Sequence, residues 1–182
     1  MNLSRMRMAL ACLAMVLWAG WSTRAAPILP TGPGLTVEQQ TLQGLQKLRV
    51  EVVPVTGKLK SAGISTSRVE ELFRRELTDS GLQIIERRDA PMVRLVIFAA
   101  TDAEQPESMA VSFVIAFHQE VRVKRIDVEM TVPTAFFMQT KLTTRSQARE
   151  LVEWEVREMT RRVLKISNLA SQEAKGKKSG ER

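Results

Sequence analysis

Two hydrophobic periods divide this chain. Between Val93 and Leu142 apolar residues recur at every second position, whereas from Val69 to Leu77 and from Ala148 to Ile166 they recur at every third or fourth. The first spacing lines one side of a β-strand and the second one side of a helix. Thr36 and Gln39 have the spacing of a capping box, predicting a short helix over about 37–46. Leu48 to Val55 reads as a strand, with Val50 and Val52 on one face, Arg49 and Glu51 on the other, and Pro54 at an edge or end. Lys58 to Gly63 reads as a loop. A hydroxyl among Ser65, Thr66 and Ser67 then caps a helix carrying Val69, Leu72, Phe73 and Leu77, and Gly81 is placed to end it.

Leu82 to Ile85 and Val93 to Ala99 predict two more strands, separated by a turn from Arg87 to Pro91. The polar stretch Thr101 to Ser108 predicts a hairpin loop. Val111, Phe113, Ile115, Phe117, Gln119, Val121 and Val123 then share one face of a long strand. Val128, Met130, Val132, Thr134, Phe136, Met138 and Leu142 continue the same alternation, so they are expected on the buried face of a fifth strand. A reversal is required between Lys124 and Pro133, although no Asn-Gly or equivalent marks it. Thr144 and Gln147 offer a second capping box before a long helix buried through Ala148, Val152, Val156, Met159, Val163 and Ile166.

The resulting order is β-α-β-β-β-β-α. It predicts an α+β two-layer sandwich, a mixed five-stranded sheet covered by two helices. The helix joining the first two strands favours a right-handed crossover and a parallel pair; the later strands should be mostly antiparallel.

The N-terminus has a different character. Arg5 and Arg7 precede a charge-free apolar run from Met8 to Gly20, and Thr23-Arg24-Ala25 supplies acceptable residues before a cut. That run fits a signal-peptide core and falls short of the roughly 20 residues a membrane span requires. The expected organisation is a signal peptide over 1–25, a flexible linker over 26–35, one α+β domain over 36–170 and a disordered basic tail over 171–182. The mature protein is expected in the periplasm or outside the cell, the alternative being a leader retained as an inner-membrane anchor through Trp18 and Trp21. No integral membrane domain is expected once the leader is cut.

Composition narrows the chemistry. The only cysteine, Cys12, lies in the leader, which leaves the remainder no thiol for a disulfide, a zinc site or a nucleophile. Removing Arg5, Arg7 and Arg24 lowers the formal charge from +7 to +4, and several remaining cations sit in the basic tail. No nucleic-acid partner is expected, because the high pI needs no further cause. Walker, dinucleotide and Gly-x-Ser-x-Gly motifs are missing, and neither cofactor nor metal is expected.

Five residues are candidates for binding. His118, the only histidine, lies on the polar side of its strand beside Glu120, and reads either as a solvated side chain or as a general base. Gln119 interrupts an apolar stripe, so its amide needs partners, at a strand end, a helix terminus or a ligand. Trp154 flanks the last helix and is the best exposed anchor. Arg87 and Arg88, with Arg74 and Arg75, offer a small basic patch for phosphate or lipid headgroups. Asp102, Glu104 and Glu107 match no oxygen-ligand spacing and read as a solvated loop.

Gly63-Ile64-Ser65 at a helix start, the exit Leu77, Ser80, Gly81, Leu82, and a strand ending Phe117-His118-Gln119 resemble a group of exported bacterial proteins. The element order is similar to the anticodon-binding-domain-like fold of the TolB N-terminal domain and CsgG-type envelope proteins. The resemblance implies an envelope location and assigns no activity. Two functions follow as expectations. One is a non-enzymatic binding or assembly module whose partner is another envelope protein. The other is a small hydrolase or transferase using His118 and nearby carboxylates.

Overall fold

The structure is a computed structural model that describes residues 36–180, so the expected leader and the whole of the expected linker lie outside the described residues. Its elements are α1 (Val37–Gln40), β1 (Lys47–Val52), α2 (Gly57–Ser61), α3 (Thr66–Asp79), β2 (Gln83–Ile84), β3 (Met92–Thr101), β4 (Ser108–Val123), β5 (Val128–Thr144) and α4 (Ala148–Gly180). The strands form one mixed sheet in the order β2-β1-β3-β4-β5. β1 runs parallel to both β2 and β3, whereas β3, β4 and β5 are successively antiparallel. This is the α+β sandwich expected from the residue pattern.

Local signals explain the helix ends. Thr36 and Gln39 form the reciprocal capping box of α1. The Ser65 hydroxyl accepts from the Arg68 N–H at the start of α3. At its end Gly81 adopts φ +88°, and the Leu82 N–H reaches back to the Leu77 carbonyl at 3.2 Å. That reversal is open to glycine and strained for any other residue.

One face of the sheet is covered. Val111, Phe113, Ile115 and Phe117 of β4 and Val93, Leu95 and Ile97 of β3 pack with Leu72, Phe73 and Leu77 of α3 and with Val152, Val156 and Met159 of α4 in one core. Glu76 of α3 lies 3.7 Å from Arg157 and 3.5 Å from Arg161 of α4, tying the helices together along their outer seam.

Four expectations change. The predicted loop over 58–63 contains the single-turn helix α2. α1 stops at Gln40 rather than near residue 46. The helical backbone of α4 continues to Gly180 where disorder was expected after residue 170. Ser167 and Ser171 hold α4 near the N-terminal segment, the Ser167 hydroxyl donating to the Leu42 carbonyl at 2.9 Å and the Gly44 N–H donating to the Ser171 hydroxyl at 3.1 Å.

The fourth change concerns β5. Phe117 pairs with Ala135 and His118 with Pro133, leaving Thr134 as the extra residue of a bulge. Because side chains alternate strictly, one inserted residue exchanges the faces beyond it. Phe136, Met138 and Leu142 therefore point away from the helices and are 67%, 66% and 85% exposed. They were expected on the buried face. Pro133, which has no N–H to give a neighbouring strand, stands beside the bulge.

Candidate interaction site

The sheet face opposite the helices has no covering layer among the described residues. Register places Ala110, Ser112, Val114 and Ala116 of β4 between Ala100, Phe98, Val96 and Arg94 of β3 and Leu142, Thr140, Met138 and Phe136 of β5. Phe98 is exposed, Val96, Val114 and Ala116 are half-buried, and the Ser112 and Thr140 hydroxyls lie 2.8 Å apart. This surface is apolar toward β5 and polar toward β1, where Arg94 donates to Glu51 at 3.0 Å. Contiguous exposed apolar surface of this kind marks interaction sites in soluble proteins.

The face ends at an open edge. β2, at the other edge, is only two residues long, a length that leaves little to pair with. β5 is 17 residues long and, among the described residues, has no strand on its outer side. Near the bulge the Thr134 carbonyl accepts from the Thr41 hydroxyl at 3.5 Å, so the uncovered part of the edge runs from Ala135 to Thr144.

Between this edge and α4 lie two open cavities of about 340 Å³ each. One is lined by Phe136, Phe137, Met138, Gln139, Met159, Arg162 and Val163. The other is lined by Leu142, Thr143, Gln147, Glu150, Leu151 and Trp154. Lys141 stands between them, its ammonium 6.0 Å from the centre of the Trp154 ring. No carboxylate forms an ion pair with Lys141 among the described residues.

The five candidate residues do not converge. Trp154 is 47% exposed and lines the second cavity. His118 is half-buried on the open face, paired in register with Met92 and Pro133. Burial first, and then the Arg94 cation, hold its imidazole below the ordinary value, with Glu51 acting in the opposite direction. Its side chain has no hydrogen bond to a hydroxyl nucleophile among the described residues. Gln119 lies on the opposite side of the same strand and donates its amide to the Thr41 carbonyl at 2.8 Å, closing the end of α1. Arg87 and Arg88 occupy the turn after β2, at the far edge of the sheet, and Arg87 is engaged by Asp89 at 2.5 Å. Among the described residues no three His, Cys, Asp or Glu side chains gather as metal ligands. The β5 edge itself was missed from the sequence, since strand order depends on contacts remote along the chain.

No family model matches the chain, and no curated protein does. Among solved structures it is similar to a minor lipoprotein from Acinetobacter baumannii at 15% identity and a TM-score of 0.40, over 68% of this chain and 94% of that one. It is also similar to rare lipoprotein B from Shewanella oneidensis, at 16% identity and a TM-score of 0.34 over 71% and 98%. A PelC dodecamer from Paraburkholderia phytofirmans is similar at 13% identity and a TM-score of 0.36, over 75% and 91%. None of these three is described as a TolB domain or a CsgG-type protein. At such values the likeness does not reach to what the chain does. Among the described residues no helix is long and apolar enough to cross a membrane.

Proposed function

We propose that the chain is an exported, non-enzymatic binding or assembly module of the cell envelope, and that it binds through the open sheet face and the β5 edge. The observation that carries this reading is the exposure of Phe136, Met138 and Leu142 on a long edge strand held on its inner side by β4. Export rests on the charged start, apolar run and small-residue cut site of the leader. The non-enzymatic reading rests on the dispersion of the polar candidates, since a catalytic set must hold its groups within hydrogen-bond reach.

The test is replacement of Phe136 and Met138 together by Ser in the cell, followed by chemical crosslinking. The expected result is a protein of unchanged abundance and thermal stability that loses its crosslinked species. An unchanged crosslinking pattern overturns the assignment of the surface. Loss of function at His118→Ala alone, with crosslinking intact, would instead favour the hydrolase or transferase reading.

A further inference from the structure

We infer that the β5 edge receives an extended polypeptide segment of another protein as a sixth strand, with apolar side chains at positions i and i+4 and a carboxylate at i+2. The inference rests on the binding-module reading and specifies the partner.

The free edge supplies the first reason. From Ala135 to Thr144 the backbone is already extended and held on its inner side by β4, so an incoming strand orders only itself. An added strand places alternate side chains on the two faces of the sheet. One set continues the open face beside Phe136 and Met138. The other set points into the space between β5 and α4.

The two cavities lie in that space, and their spacing selects the pattern. Gln139 lines one and Thr143 the other, four residues apart, or about 14 Å at about 3.4 Å per residue. In an added strand, side chains at i and i+4 point to the same face with that separation. Each cavity has a mixed lining that includes large apolar side chains, Phe137 and Met159 at one and Leu151 and Trp154 at the other. The position between them meets Lys141. An inward-pointing cation on an edge strand discourages indiscriminate pairing, and here it discriminates in favour of a partner bringing a carboxylate. Arg162 lies 3.7 Å from Glu158 and so has a partner already, while Glu150 lies at the rim of the Trp154 cavity.

A second copy of the chain fits less well. Pairing β5 with itself antiparallel about Gln139 sets Lys141 of each copy opposite Phe137 of the other, so neither cation meets a carboxylate and both cavities receive mismatched groups. Both cavities are open rather than enclosed.

The experiment titrates the full chain with a capped nine-residue peptide of alternating Thr, carrying Leu at positions 3 and 7 and Glu at position 5. Amide hydrogen exchange and affinity are the readouts. The expected result is added protection confined to residues 135–144. Trp154→Ala weakens binding about tenfold. Lys141→Glu weakens it by a similar factor, and a peptide with Lys at position 5 restores affinity for that variant alone. Equal affinity of the Glu and Lys peptides for the native chain overturns the inference, as does protection on β3 rather than β5. Absence of peptide binding, with the crosslinked species still lost in the Phe136/Met138 double variant, overturns strand addition and leaves the binding surface standing. Capture of a second copy of the chain at β5 overturns the choice of partner.

Discussion

The two faces of the β3–β4–β5 sheet both carry large apolar side chains, and those side chains meet different fates. Under the helices, Val111, Phe113 and Ile115 are at most 1% exposed. On the other side Phe136, Met138 and Leu142 remain in solvent, beside the polar pair Ser112 and Thr140. Burial of the first face stabilises the fold; exposure of the second contributes nothing to it and costs solubility. Exposed apolar surface of this kind is what the proposed binding role would use. The contrast separates residues that hold the fold from residues that use it, and substitutions on each side test the separation.

The largest effect belongs to the covered face. Phe113→Ala removes a fully buried ring and is expected to lower unfolding free energy by about 3–5 kcal/mol, measured by urea denaturation. The next acts within the same layer with opposite sign. Glu155 of α4 is fully buried, and neither carboxyl oxygen has a partner among the described residues. An unsatisfied buried polar group costs about 1–3 kcal/mol, so Glu155→Leu is expected to raise the denaturation midpoint by a corresponding amount. A lower midpoint would show that the carboxyl makes an interaction the fold depends on.

Gly81→Ala forces a side chain into the left-handed turn after α3 and is expected to cost about 1 kcal/mol. On the open face the double change of Phe136 and Met138 to Ser is expected to move stability by no more than about 0.5 kcal/mol. A large loss there would place those residues in the core and erase the contrast between the faces.

The smallest effect is pH-dependent. The imidazole of His118 is held below its ordinary value by burial and Arg94. The unfolded chain therefore binds this proton at a higher pH than the folded one does. The contribution of His118 is fully present above its unfolded value, about 6.5, and is lost as pH falls through the lower folded value. Stability should decline in that range, and His118→Asn should remove part of the decline. The same slope in both proteins would contradict this.

Much of the covered face was legible in the sequence because it depends on near neighbours. The period-two run ending at Gln119, the capping pair Thr36 and Gln39, and Gly81 after α3 each carry their structural role in local chemistry. The stripe-breaking Gln119 was legible as an amide in need of a partner, at a strand end, a helix terminus or a ligand, and the Thr41 carbonyl at the end of α1 accepts from it. The open face was not legible, since one extra residue at Thr134 inverts the assignment of everything after it. In the sequence Pro133 marked only the far limit of the expected reversal, and a bulge requires knowing which residue of β4 lies opposite. The hairpin reversal was similarly hidden. It is made by Asp127 at φ +53°, its carboxylate accepting from Arg122 at 2.7 Å, in place of a glycine-containing turn. Trp154 was identifiable as an exposed anchor, but the cavity it lines depends on β5 being the last strand.

The most direct measurement is a photocrosslinking scan in living cells, placing a light-activated residue in turn at Phe136, Met138, Thr140 and Leu142 of β5 and at Glu71 on the outer side of α3. The β5 positions should capture one common partner, and Glu71 should capture none. Capture from Glu71 with silence along β5 would contradict the claim that this edge is where the protein binds.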